Sequence, residues 1–148
     1  MTSLLFDANA LIYWACPSSP HHNDTCRLLR AAVGTRCSIY ALSSSLNEVY
    51  YVLHRHYLDE RDARQSIQDM AETFDLIDLT DYLVLTSIRS NEPDYEDGLI
   101  RAAAEDLQVD AIITYDNAAF KNSFIPKLTA AEAFAELFSD QTVPIKTK

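Results

Sequence analysis

Four carboxylates stand where their type and spacing could do chemistry. Asp7 directly follows the apolar run Leu4-Leu5-Phe6, and Asp116 comes two residues after Ile112-Ile113-Thr114. Both runs lack polar alternation, the pattern of strands buried on two faces of a parallel sheet. Each acid is therefore placed at the carboxyl end of a central strand. In open parallel sheets that edge binds ligands, at the point where the strand order reverses. Asp97 lies in the first turn of a helical segment leading into the second of these strands. A helix antiparallel to its following strand starts near that strand's far end, so Asp97 reaches the same edge. Glu48 sits one turn into the helix after another apolar run, at matching height and off that helix's apolar stripe.

Carboxylates gathered within a few ångströms repel, and at neutral pH they cannot all stay ionised without compensation. A hard divalent cation is the usual answer. Oxygen-only donors, with no Cys or His nearby in sequence, favour Mg²⁺ or Mn²⁺ over Zn²⁺. Such an ion can activate a water and stabilise charge on a phosphate, and two ions could share the work. Plainer readings stand beside these. Asp7 and Asp116 could cap helices after strands, and Asp94 could cap the segment that carries Asp97. Glu48 could belong to a solvated helix face. Glu96 suits the positive end of a helix dipole; Asp97 could do the same, or pair with Arg101 at i,i+4.

The elements that must position these acids are legible in the hydrophobic pattern. Short apolar runs at 3–6, 37–41, 74–79, 111–114 and 127–128 read as strands. Helical patterns occupy 23–33, 44–57, 59–73, 81–90, 96–108 and 129–138. The 44–57 segment carries Leu46, Val49, Tyr50, Leu53 and Tyr57 at spacings of three and four, a core stripe. The last helix opens with the capping-box spelling Thr129-Ala130-Ala131-Glu132. Alternating strands and helices argue for an α/β fold, a central parallel sheet of four to five strands flanked by helices.

The length of 148 residues fits a single domain over 1–148, with a core at about 3–138 and a flexible tail at 139–148. Only 2 glycines occur, which argues against Gly-rich phosphate loops. With 12 basic against 22 acidic residues the formal charge is −10, so any nucleic acid must be held by a local patch rather than by the whole surface. Two candidates are the His54-Arg55-His56 cluster with Arg61 and Arg64, and Lys121 with Lys127 near the last acid. The three cysteines, Cys16, Cys26 and Cys37, show no C-x-x-C spacing and read as reduced thiols, in keeping with a cytoplasmic location. No run approaches the ~20 apolar residues of a membrane span.

The segments Leu4 to Ile12 with Asp7-Ala8-Asn9, 43–53 with Asn47-Glu48-Val49, Asp94 to Ala104, and Ile112-Ile113-Thr114-Tyr115-Asp116 come in the order found in PIN domains. From about residue 3 to 138 the chain resembles small prokaryotic PIN proteins of the group that includes VapC-type toxins. The resemblance implies the PIN fold and a Mg²⁺- or Mn²⁺-dependent endoribonuclease that hydrolyses phosphodiester bonds to leave a 5′-phosphate and a 3′-hydroxyl. It implies acids at Asp7, Glu48, Asp97 and Asp116, supported by Asn9 and Thr114. Apart from the resemblance, Asp94 reads as a supporting residue before the helix of Asp97, and Arg55 and Lys121 of the two basic patches read as weak substrate contacts. A toxin role would require a protein antitoxin, and a homodimer is common among small relatives. Three positions depart from the family pattern. Gly98 stands where relatives often have Ala, which should loosen the helix; Tyr115 replaces an Arg; and Ala119 precedes Phe120 where some carry a further acid. These departures keep a second reading open, a catalytically impaired PIN-like module that binds nucleic acid or protein.

Overall fold

The computed structural model describes residues 1–139. Of the tail expected at 139–148, residues 140–148 lie outside the described residues. The elements run β1 (Thr2–Phe6), α1 (Ala8–Ala15), α2 (His22–Val33), β2 (Cys37–Leu42), α3 (Ser43–His56), α4 (Glu60–Thr73), β3 (Asp75–Ile77), α5 (Asp81–Arg89), α6 (Tyr95–Leu107), β4 (Ala111–Ile113), β5 (Lys127–Leu128) and α7 (Ala130–Phe138). All five strands are parallel, in the order β3-β2-β1-β4-β5. The chain works outward from β1 through β2 to β3, then returns to place β4 on the other side of β1. The strand order therefore reverses between β1 and β4, and the crevice at their carboxyl ends is the natural ligand site.

Residues of β1 alternate between two cores. Leu4 and Phe6 pack with Leu11, Leu28, Val49, Leu53, Met70 and Phe138, drawing α1, α2, α3, α4 and α7 onto one face. Leu5 packs with Leu83, Leu99, Ile100, Ile112 and Phe120 beneath α5 and α6 on the other. Burial on both faces explains why β1 and β4 read as unbroken apolar runs.

Two expectations shift. The third strand, expected over 74–79, is only Asp75–Ile77: it pairs with β2 alone at the sheet edge, while Phe74 closes α4 and turns into the core. Helix α1 has no counterpart among the expected helices. Its sequence ANALIYWA offers almost no polar face, because Ala8, Ala10 and Leu11 are buried and the remaining residues are half-buried; without a 3.6-residue alternation its signal is weak.

Gly98 corrects a further expectation. It tightens the packing of α6 on α5 instead of loosening the helix. A β-carbon at Gly98 would collide with the Ser87 and Ser90 hydroxyls and stand 3.0 Å from the Ser87 carbonyl oxygen. The Ser87 hydroxyl donates to the Tyr95 carbonyl oxygen at 2.5 Å, pinning the first turn of α6 to α5. Among the described residues no helix is long and apolar enough to cross a membrane.

Candidate active site

Asp7 ends β1 and caps α1. Its backbone N–H donates to the Ile113 carbonyl oxygen at 2.9 Å, which continues the β1–β4 ladder. One carboxylate oxygen, Oδ1, accepts from the Ala8 N–H at 2.8 Å. The other, Oδ2, accepts from the Thr114 hydroxyl at 2.9 Å and the Asn9 amide at 3.4 Å. Asp7 thus caps α1 with one oxygen while its other oxygen is held at the carboxyl end of β1. Thr114 and Asn9 brace both strand ends: Thr114 Oγ1 also accepts from the Asp116 N–H at 3.1 Å, and Asn9 Oδ1 accepts from the Tyr115 N–H at 3.1 Å.

Asp116 lies in the loop after β4. Its Oδ1 accepts from the N–H groups of Ala118 and Ala119, at 2.8 and 3.0 Å. Lys127 secures the same loop from β5, its ammonium donating to the Asp116 and Ala119 carbonyl oxygens at 2.6 and 2.5 Å. That lysine is consumed in holding backbone and is not a free phosphate contact. Asp94 caps α6 through the Asp97 N–H at 2.8 Å, as its position before the helix suggested. Arg101 turns to Glu92 and Glu105 and not to Asp97.

Asp97 is 8 % exposed, and its carboxylate accepts no hydrogen bond from the described residues. An unbonded acid in a buried place resists ionisation. Burial first, then the charges of Asp94, Asp7, Asp116 and Glu92, push its carboxyl up to about 7. Glu48 is likewise pushed up to about 7, by burial and then by Glu96, Asp7 and Asp94. Burial also raises Asp7, against the pull of the Thr114 and Ala8 hydrogen bonds, and Asp116 and Asp94 add to the rise. These mutual effects bring the expected acids together electrostatically.

Asp7, Glu48, Asp97 and Asp116 line one cavity of about 660 Å³, joined by Asp94 and Glu96. Sequence alone reads Glu96 as helix-dipole chemistry; the structure sets it in the cavity close to Glu48, and its place beside Asp97 in the first turn is the sequence signal for that. No Lys, Arg or His is among the described residues lining this cavity. The donor set is thus oxygen-only, strongly anionic and without an internal counter-charge, which fits a hard divalent cation. No three of these side chains among the described residues stand as a preformed metal shell, and the chemistry of the donors rather than a closed geometry carries the fit.

The substrate contacts expected from sequence fall outside this cavity. Arg55 is on α3 beyond its lining, with its guanidinium 3.1 Å from the Tyr51 hydroxyl. Lys121 is exposed and also absent from the lining. Tyr115 turns away: its hydroxyl accepts from the Ala130 N–H at 3.3 Å and its ring stacks on His21 at 4.2 Å. Ala119 is 0 % exposed, so no acid enters the cavity from that position.

The molecule is thus a parallel α/β protein with an acidic cluster at the reversal of its strand order. The profile of the PIN domain matches residues 3–118, and the chain belongs to the PIN-domain family. No curated protein sequence matches it. Solved structures share the fold at low identity. The toxin VapC20 of Mycobacterium tuberculosis, described as cleaving the Sarcin-Ricin loop, superposes with a TM-score of 0.66 at 14% identity, over 77% of this chain and 90% of that one. VapBC2 of Rickettsia felis, bound to a DNA fragment from its promoter, gives 0.63 at 14%, over 86% and 98%. FitAcB of Neisseria gonorrhoeae gives 0.65 at 13%, over 86% and 97%.

Proposed function

We propose that this protein is a metal-dependent endoribonuclease of the VapC-like group, with Asp7, Glu48, Asp97 and Asp116 as its catalytic acids. The observation that carries the reading is the lining of the cavity: six carboxylates and, among the described residues, no cationic side chain. Mg²⁺ or Mn²⁺ bound there would position the scissile phosphate and lower the pKa of an attacking water. Asp7 and Asp97 are the buried acids among those lining the cavity and would hold the ion, with Glu48 and Asp116 on its remaining sides. Thr114 and Asn9 keep Asp7 in one orientation, and Asp94 fixes the first turn from which Asp97 projects. Hydrolysis is expected to leave a 5′-phosphate and a 3′-hydroxyl.

The structural likeness to VapC20 and VapBC2 supports a toxin role, and with it a protein antitoxin as partner. We further propose a single-domain cytoplasmic protein. A homodimer would cover the exposed apolar side chains of α5, where Tyr82, Leu85 and Ile88 are 59%, 49% and 65% exposed. Co-expression with the neighbouring open reading frame tests the antitoxin. The nuclease itself is tested by incubating mixed RNAs with Mn²⁺ and comparing wild type with Asp7→Asn, folding being checked by circular dichroism. Cleavage by wild type alone, abolished by EDTA, is the expected outcome. Equal cleavage by the variant, or in excess EDTA, refutes the assignment; RNA binding without cleavage by either protein establishes the impaired binding module that Tyr115 and Ala119 suggest.

A further inference from the structure

The proposed activity leaves a difficulty, since an RNA phosphate must approach a cavity lined by carboxylates in a protein of net charge −10. Electrostatic grip, which dominates most nucleic-acid binding, is weak here. The rim offers a different means of holding a nucleotide. Tyr51 lies one turn after Glu48 on α3, lines the cavity and is 58% exposed. Tyr95 opens α6 two residues before Asp97, lines the same cavity and is 46% exposed. Each ring thus sits on the same element as one of the acids, at the mouth of the same cavity.

The other aromatic candidates near these helices are already engaged. Tyr13 packs edge-on to Tyr115, Trp14 packs on Phe74, and Tyr50 stacks on His54 with its hydroxyl bonded to Glu60. Tyr51 and Tyr95 stack on no aromatic ring among the described residues. What Tyr51 does have is Arg55, whose guanidinium lies 5.7 Å from its ring centre. Arg55 forms no ion pair with a carboxylate among the described residues, unlike Arg64 and Arg101. An exposed ring backed by an arginine is how proteins hold unpaired bases without reading their sequence, because every base has a π-face.

We propose that Tyr51 and Tyr95 are base-stacking residues flanking the acidic cavity, each holding the face of a base beside the scissile phosphate. The proposal rests on the ribonuclease reading for the identity of the substrate. A base laid on Tyr51 and another on Tyr95 would bring the intervening phosphodiester to the acids, with Arg55 meeting a neighbouring phosphate. Paired bases would have their faces occupied by their own neighbours in the helix and could not be held this way.

The experiment compares wild type with Tyr51→Ala, Tyr95→Ala and Tyr51→Trp, using a single-stranded RNA, a duplex of the same sequence, and the single strand with an abasic site beside the scissile phosphate. Binding is read by fluorescence anisotropy and cleavage by steady-state kinetics, both with Mn²⁺. The alanine variants should raise Kd and KM by roughly 5- to 150-fold with kcat changed far less, and Tyr51→Trp should restore them. The abasic substrate should weaken wild type by a similar factor and cost little more in the matching alanine variant, which a merely structural tyrosine would not show. Arg55→Ala should flatten the salt dependence of binding, whereas Tyr51→Ala should leave it unchanged. Wild-type affinity in both alanine variants, equal handling of duplex and single strand, or full additivity of the abasic and alanine effects overturns the proposal. If wild type cleaves nothing, the nuclease reading fails on its own, and the anisotropy series still decides whether these tyrosines hold unpaired bases.

Discussion

Replacing Asp97 with Asn should stabilise the metal-free protein while removing its activity. Burial and four neighbouring acids hold the Asp97 carboxyl at about 7, against an ordinary value of 3.8. Between those values the folded state keeps a proton that the unfolded chain has released, so stability falls as pH rises, by about 1.4 kcal/mol per unit. Above pH 7 the nominal penalty is roughly 4 kcal/mol. Solvent at the mouth of the cavity and rearrangement of the other acids reduce this to about 2 kcal/mol. For a chain of this size that is a rise in Tm of about 4–8 °C for the Asn variant. The assay is thermal unfolding in EDTA at about pH 5 and about pH 8.5, where the gain at the lower value should be roughly two-fifths of the full gain at the higher one. Adding Mn²⁺ at 100 times its Kd should then stabilise wild type by about 2.7 kcal/mol and the variant far less, reversing their order. An Asn variant no more stable than wild type at high pH in EDTA would show that the acids do not confront one another as described. An equal response of both proteins to Mn²⁺ would place the ion elsewhere.

Thr114→Val keeps the shape of the side chain and removes the hydroxyl that donates to Asp7 at 2.9 Å. It should cost about 1.5–3 kcal/mol in denaturant unfolding and lower kcat by misorienting Asp7. Gly98→Ala, although alanine favours helices, should destabilise by about 1–3 kcal/mol because the methyl meets Ser87 and Ser90; a stabilised variant would refute the close packing of α5 on α6. Lys127→Met removes the ammonium that gathers the Asp116 and Ala119 carbonyls. Proteolysis in the loop after β4 should then quicken and cleavage of RNA weaken, while the thermal response to Mn²⁺ persists through Asp7 and Asp97.

The site was more legible than its surroundings. Asp7, Asp97 and Asp116 could be placed because each is tied to a central strand or to the start of the helix feeding one, and burial of both sheet faces leaves an unmistakable apolar run beside each acid. Glu48 had only its height above β2 to recommend it, since an acid off a core stripe looks the same whether it faces water or a cavity. Glu96 escaped because helix-dipole chemistry accounts for it equally well. Lys127 misled, because a cation near an acid in sequence looks like a substrate contact until its hydrogen bonds to carbonyl oxygens are seen. Helix α1 was invisible to periodicity, being apolar nearly all round. Gly98 shows the limit of propensity: its reason for being glycine lies on another helix, at Ser87 and Ser90, which no local pattern contains.

The pairing of Leu4 with Ala111 and of Phe6 with Ile113 has a consequence for how the protein is made. Asp7 and Thr114, whose hydroxyl donates to it from just beyond β4, stand 107 positions apart, so Asp7 leaves a ribosome long before its brace does. A fragment that stops before β4 cannot brace Asp7 in this way, so the acidic cluster assembles only once β4 and the residue after it have joined β1.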